Sequence, residues 1–282
     1  MTQVLIALAL ALIMGSLGLS LTPADFRRLL TAPRGVLIGL GNLVFVAPLL
    51  AFAMAELFDL DPVYAVGLVI LGASPGGVAA NLLTHLARGE TALSVTLTAA
   101  SSVLSVLTIP VYLRLAIDHF GAEGLTEDVS AVGVGVRVLL ITTVPLLIGM
   151  RYRATHPERA LALQPPMGRA AMIAFVAIVI GTFVGERERL AEALAEVLPA
   201  AAALSVAAMA VSFAVARFAR VPERSVTAIS LELGVHNGAV AIAVAEAISS
   251  EVAIPAAVYS VFMIVPAGLF VVWKRRTAMV PS

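Results

Sequence analysis

Long apolar runs alternate with short polar clusters along this chain, and the runs recur at a length suited to a bilayer. A hydrocarbon core about 30 Å thick needs roughly 20 apolar residues in helical form. Nine segments reach that length, approximately 3–21, 35–57, 62–87, 90–117, 130–152, 166–186, 195–217, 223–248 and 253–275. The connections are short, and the longest polar stretch, His119 to Asp128, is too small to fold alone. The pattern predicts an all-α integral membrane protein with a single transmembrane domain over residues 1–282. Ala154 to Met167 holds Pro157, Pro165 and Pro166 and is expected to break the chain into two halves, because proline cannot donate to a helix ladder. The first run, Val4 to Leu21, lacks a charged leader and a following Ala-x-Ala site, so it is expected to be a membrane helix rather than a cleaved signal.

Two of these runs are interrupted in the middle. One interruption is Ser74-Pro75-Gly76-Gly77-Val78-Ala79-Ala80-Asn81, the other Glu232-Leu233-Gly234-Val235-His236-Asn237-Gly238. Lipid offers unwound backbone no hydrogen-bond partners, so such breaks survive only where protein or a water-filled cavity receives them. A pair of broken spans in corresponding halves points to a transporter's binding site. Free N–H groups are expected where the second half-helices start, near Gly77-Val78 and Asn237-Gly238, and would favour an anion. Free carbonyls at the ends of the first halves would favour a cation. Glu232 adds a carboxylate at mid-span, which is costly unless it binds a cation or a proton; the bland alternative is a protonated Glu in helix packing. Ser94 and Thr98 are four apart and share a helix face, where they either ligate or bond back to their own helix.

Composition narrows the class. Residues are 60% hydrophobic and 13% charged, and mean hydropathy is +1.02. No soluble domain of this length hides that much apolar surface. Lys and Arg balance Asp and Glu at 18 each, which argues against a nucleic-acid partner. Cysteine is absent, so disulfides, thiolate metal sites and Cys nucleophiles are excluded. No intramembrane aspartate pair, His-Glu-x-x-His or Gly-x-Ser-x-Gly suggests an enzyme, and no protein partner is evident. With nine spans and an outside N-terminus, fourteen Lys and Arg fall on the cytoplasmic side and three outside, leaving Arg137 within a span. This predicts a multi-pass protein of the cell (inner) membrane with a cytoplasmic C-terminus. Arg137 lies within snorkelling reach of the outer interface and could also attract anions.

At the two interruptions the chain resembles a known family. Ser74 to Asn81, followed by Thr84-His-Leu-Ala-Arg-Gly-Glu-Thr-Ala-Leu-Ser-Val-Thr-Leu-Thr98, is similar to the first signature of the bile acid:sodium symporter family. Glu232 to Asn237 is similar to the second, and Gly18-Leu-Ser-Leu-Thr-Pro-Ala-Asp-Phe26 resembles an early helix-to-loop segment. The resemblance implies a bacterial member of the nine-helix type, with inverted repeats, two broken crossing helices, a panel bundle (about 1–30 and 130–190) and a core bundle (about 35–117 and 195–275). It implies a first sodium site on Asn81, Ser94, Thr98 and Glu232, short of one oxygen because the family's serine is Ala80 here. A second site would draw on the backbone oxygens of Leu233 and Val235, on the shared Glu232 and on His236, but His236 replaces the family's glutamine and Leu43 its partner glutamine, with Asn42 adjacent. His236 is either a titrating group beside Glu232 or a neutral core histidine. The resemblance places substrate at Gly77, Val78, Asn237, Gly238 and Met263, where Val78 and Met263-Ile264 replace polar family residues and make the wall more apolar.

The function expected is secondary-active symport of an organic anion, such as a bile acid or small carboxylate, by alternating access. Sodium is the coupling ion, or a proton, with fewer than two sodium ions and no other cofactor. Alternatives are a facilitator or efflux carrier and a non-transporting membrane sensor of the same fold.

Overall fold

The computed structural model describes residues 2–22, 33–125, 131–188 and 190–277. The end of the segment resembling the family's early loop, with Arg27 and Arg28, lies outside the described residues, as do Asp128 and Arg189. Helices account for nearly all of what is described. They are α1 Thr2–Ser20, α2 Pro33–Leu57, α3 Pro62–Ala73, α4 Val78–Leu86 and α5 Thr91–Phe120. They continue with α6 Val132–Thr155, α7 Pro157–Gly185, α8 Leu190–Phe218, α9 Glu223–Gly234, α10 Gly238–Ala245 and α11 Ser250–Thr277. Six of them, α2, α5, α6, α7, α8 and α11, are long and apolar enough to cross a membrane. Helices α1 and α3 are shorter apolar helices.

The expected break at the prolines of 154–167 is corrected by the structure. Helix α7 runs through Pro165 and Pro166, and the chain turns earlier, at His156 (φ −135°, ψ 65°). His156 precedes Pro157, and the residue before a proline is pushed out of the helical region. Pro157 then takes the first helical turn, where no N–H is needed. Leu161 and Ala162, whose carbonyls lose their partners at Pro165 and Pro166, are exposed, so solvent can satisfy them. The span expected to begin at 166 therefore begins a helix at 157.

Two wide turns were not foreseen either. In α2 the Ala47 N–H reaches back to the Asn42 carbonyl, and in α6 the Val144 N–H reaches the Leu139 carbonyl, each one residue beyond the α-helical step. Each precedes a proline, Pro48 or Pro145, that cannot donate, so the ladder slips frame there.

Helix α1 lies along α6 and α7. A Cβ on Gly149 would come within 2.9 Å of the Gly18 Cα, so only glycine allows this approach of α1 to α6. Helix α3 packs between α2, α5 and α11, and α8 packs on α9, α2 and α11. The turn into α5 is tied to the start of α9 by the Glu90 N–H donating to Arg224 O (2.9 Å) and the Ser225 hydroxyl donating to Glu90 (2.5 Å). This tie fixes the register between the two helices that carry Ser94 and Glu232.

Candidate functional site

The two polar interruptions meet. Ser74 leaves α3 extended (φ −73°, ψ 154°) and Gly77 enters α4 extended (φ −89°, ψ 151°). Val235 (φ −131°, ψ 83°) and Asn237 (φ −79°, ψ 84°) likewise leave the helical region between α9 and α10. The two stretches run antiparallel: the Gly77 N–H donates to Val235 O (2.8 Å) and the Asn237 N–H to Pro75 O (2.8 Å). Gly76 and His236 form the one isolated bridge among the described residues. The amides expected to be free at Gly77 and Asn237 are thus satisfied by the opposite break, because unwound backbone at this depth needs protein partners. A Cβ on Gly77 would sit 2.8 Å from His236 O, which is why glycine is needed at the contact.

On the α4–α5–α9 side of this crossing, Asn81, Ser94, Thr98 and Glu232 come together. The Ser94 hydroxyl lies 2.5 Å from Glu232 Oε1 and 2.8 Å from Asn81 Oδ1. The Thr98 hydroxyl lies 2.9 Å and 3.1 Å from the two Glu232 oxygens, and 3.3 Å from Asn81 Oδ1. Ser94, Thr98 and Glu232 are essentially without exposure. Each hydroxyl owns one proton, yet each faces several acceptors. The cluster is rich in oxygen and poor in protons. It fits a hard cation, which takes carboxylate, amide and hydroxyl oxygens together. Turning the Asn81 amide over would bring its NH2 to both hydroxyls and satisfy the same atoms without a cation. Thr98 also bonds back to Ser94 O (3.1 Å), so the bland helix-face role of this pair coexists with the cluster.

The other side of the crossing is built differently. His236 Nδ1 pairs with the Tyr259 hydroxyl (3.3 Å), which donates to Gly234 O (2.8 Å). His236 shares no hydrogen bond with Glu232, which is the arrangement of a neutral core histidine. Leu43 and Leu233 are buried in one apolar cluster. The Asn42 amide donates to Ser212 (2.9 Å), which donates to Ile229 O (3.1 Å). Val235 O is engaged by Gly77. Of the groups expected at a second cation site, the Val235 carbonyl is thus engaged by Gly77 and the His236 ring is turned to Tyr259.

A cavity of about 170 Å³ lies against the crossing. Gly77, Val78, His236, Asn237, Gly238 and Met263 line it, so every residue expected at the substrate reaches it. Opposite are α1 (Ile13, Ser16, Leu17, Ser20) and α7 (Gln164, Met172, Phe175). Among the described residues the wall is mainly apolar and carries no Lys or Arg. Asn237 Nδ2 and His236 Nε2 are buried without partners, while Asn237 Oδ1 caps α10 through the Val240 N–H (3.3 Å).

Sequence reasoning missed several participants. Ser101 accepts from the Gly76 N–H (3.3 Å) and belongs to a hydroxyl stripe, 94, 98, 101, 102 and 105, whose helical spacing was legible. Tyr259 could have been noticed as the one phenol in a run of small residues. Ser16, Ser20 and Gln164 carried no signal. Among the described residues no three His, Asp or Glu side chains cluster to hold a metal of another kind.

Residues 7–193 match the family model of the sodium bile acid symporters. The chain belongs to that family. It is 30% identical over 258 residues to an uncharacterized sodium-dependent transporter of Bacillus subtilis, YocS, covering 91% of this chain and 78% of the relative. It is 30% identical over 270 residues to the probable chloroplastic sodium/metabolite cotransporter BASS1 of Arabidopsis thaliana, covering 94% and 66%. With the human ileal sodium/bile acid cotransporter it shares 27% over 241 residues, covering 82% and 66%. This sodium bile acid symporter family member is therefore a multi-pass membrane protein and not an enzyme.

Proposed function

We propose that the protein is a sodium-coupled carrier of a small organic anion that works by alternating access with one sodium ion per cycle. The observation that carries the reading is the proton-poor oxygen cluster of Asn81, Ser94, Thr98 and Glu232 joined directly to the crossing. A cation there neutralises Glu232 and fixes the faces of α4, α5 and α9 that hold the crossing, so its occupancy biases the substrate cavity. One ion rather than two is supported by Leu43 in an apolar cluster, by the Val235 carbonyl held by Gly77 and by His236 turned to Tyr259. The relatives named for sodium-dependent, sodium/metabolite and sodium/bile acid transport support the ion and leave the solute open.

The anion's carboxylate would sit at the crossing, on Asn237 Nδ2, with its apolar body against Val78, Met172, Phe175 and Met263. Nine spans in inverted repeats would follow if α2, α3–α4 and α5 correspond to α8, α9–α10 and α11: each set is a long helix, a broken pair and a long helix. The grouping of α1 with α6 and α7 supports a panel bundle distinct from the rest. The Lys and Arg distribution supports an outside N-terminus and a cytoplasmic C-terminus in the cell membrane. The substrate cavity then opens towards the cytoplasm, since it takes the end of α1 and the beginning of α7.

Proteoliposomes test the proposal. With an inward sodium gradient, uptake of labelled pyruvate or taurocholate should rise hyperbolically with sodium and stop in Glu232→Gln. Uptake that persists undiminished in potassium under a fixed pH gradient would assign the cluster to a proton. Steep sigmoidal sodium dependence would contradict a single ion. Stabilisation by sodium without counterflow of any acid would make the protein a sensor.

A further inference from the structure

A second cavity lies at the other end of the same seam. The seam runs between α1 and α10. The substrate cavity touches α1 from Ile13 onward and α10 at its first residues. The second cavity, about 360 Å³, touches the start of α1 at Val4 to Leu8, α6 at Arg137 and Ile141, and the far end of α10 at Ala243 with Glu246 just beyond. Between them in the chain lie Leu10 of α1 and Val240 and Ile242 of α10, which have no exposure and belong to one apolar cluster, here taken as the plug between the cavities. From Leu8 to Ile13 along α1 this plug is only about 7 Å thick. The beginnings of α1 and α6 and the end of α10 share one face of the molecule, the outer face in the proposed orientation.

Among the described residues Arg137 is the one Lys or Arg that lines either cavity, and it makes no ion pair or hydrogen bond there. Glu246, in the same cavity, accepts from the Thr182 hydroxyl at 3.5 Å and forms no salt bridge with Arg137. Among the described residues the substrate cavity has the Asn237 amide but no Lys or Arg to draw an anion through solution. A guanidinium in an apolar-walled recess does this well, because low-dielectric walls focus its field and its fork matches a carboxylate or sulfonate.

We propose that Arg137 forms an outer capture site, which takes the carboxylate or sulfonate of the anionic substrate before the plug of Leu10, Val240 and Ile242 parts. The inference rests on the transport reading and adds a second anion site to it.

The chain contains no cysteine, so a single introduced thiol reports on the cavity directly. The experiment places Ala247→Cys on the wall and compares anionic sulfonatoethyl and cationic trimethylammonium-ethyl methanethiosulfonates, each normalised to a free thiol. The vesicles are of phosphatidylcholine, with reagent on the outer side. Anionic labelling should be favoured, and Arg137→Gln should lower that preference about threefold to tenfold, as expected for a unit charge a few ångströms away. Arg137→Lys should retain most of it, and Glu246→Gln should increase it. A preference indifferent to Arg137→Gln, or labelling only from the cytoplasmic side, would overturn the proposal. A preference that vanishes as phosphatidylglycerol is added would assign Arg137 to a lipid headgroup and overturn it equally. Sodium stabilisation through Glu232 is measured on the same Arg137→Gln protein. Its persistence alongside an unchanged labelling ratio would remove the capture site while leaving the transport reading intact.

Discussion

Glu232 has two neighbourhoods, and they have been built to opposite rules. Towards α4 and α5 it meets two hydroxyls and the Asn81 amide, gathered around one carboxylate. Towards α2 and α11 the crossing is finished by leucines and by a histidine, a tyrosine and a carbonyl joined to one another rather than to Glu232. Both sides keep the backbone crossing intact, since Gly77 and Asn237 bond across it whatever the side chains are. The lesson is that the crossing supplies the place for ions, while a few side chains set how many it accepts. A buried polar set that is complete in itself has nothing to gain from a cation. One that has more acceptors than protons has a great deal to gain.

The most severe way to break this contrast is Glu232→Gln. It removes the only full charge of the cluster, and sodium-specific stabilisation and sodium-driven uptake should fall at least tenfold with the fold retained. Circular dichroism and uptake on the same preparation check both halves. Ser94→Ala and Thr98→Ala each delete one hydroxyl and should weaken sodium about fivefold to thirtyfold, in line with about 1–2 kcal/mol for a polar contact to a charged group. Unchanged sodium affinity in both would show that the hydroxyls serve only their own helix.

The other side can be sharpened rather than broken. Leu43→Gln with His236→Gln would supply two amide oxygens where the structure has none, and sodium dependence should turn sigmoidal. His236→Gln alone should leave it hyperbolic, because Leu43 still closes that side. A gentler addition is Ala80→Ser, which is fully buried beside the cluster and should raise sodium affinity by a few-fold. Tyr259→Phe should have the smallest effect on sodium, none, while costing about 1–2 kcal/mol of stability through the unpaired His236 Nδ1, since the Gly234 carbonyl keeps the Ser205 hydroxyl.

Much of this contrast was legible in the sequence, though unevenly. The Ser94–Thr98 spacing and Glu232 in an apolar span announced the oxygen cluster, because helical periodicity and the cost of an intramembrane charge are local properties. The mutual pairing of Gly77 and Asn237 was not legible, since it depends on two segments some 160 residues apart meeting in antiparallel register. His236 could not be assigned either: its partner Tyr259 belongs to another helix. Pro165 and Pro166 misled because the rule that proline stops a helix assumes that freed carbonyls have no other partner, and at this exposed stretch they do. The nearness of Arg137 to Glu246 around one cavity likewise needed the packing of α1, α6 and α10.

The most direct test of a single cation at Glu232 is the melting temperature of the purified protein in detergent, at constant ionic strength, as sodium replaces potassium or choline. A ligand bound only by the folded state stabilises by mass action, about 2.7 kcal/mol at a hundred times its dissociation constant. The account predicts a melting temperature that rises with sodium along a one-site curve and does not move in Glu232→Gln. A rise of equal size in Glu232→Gln, or none in the unaltered protein, would contradict it.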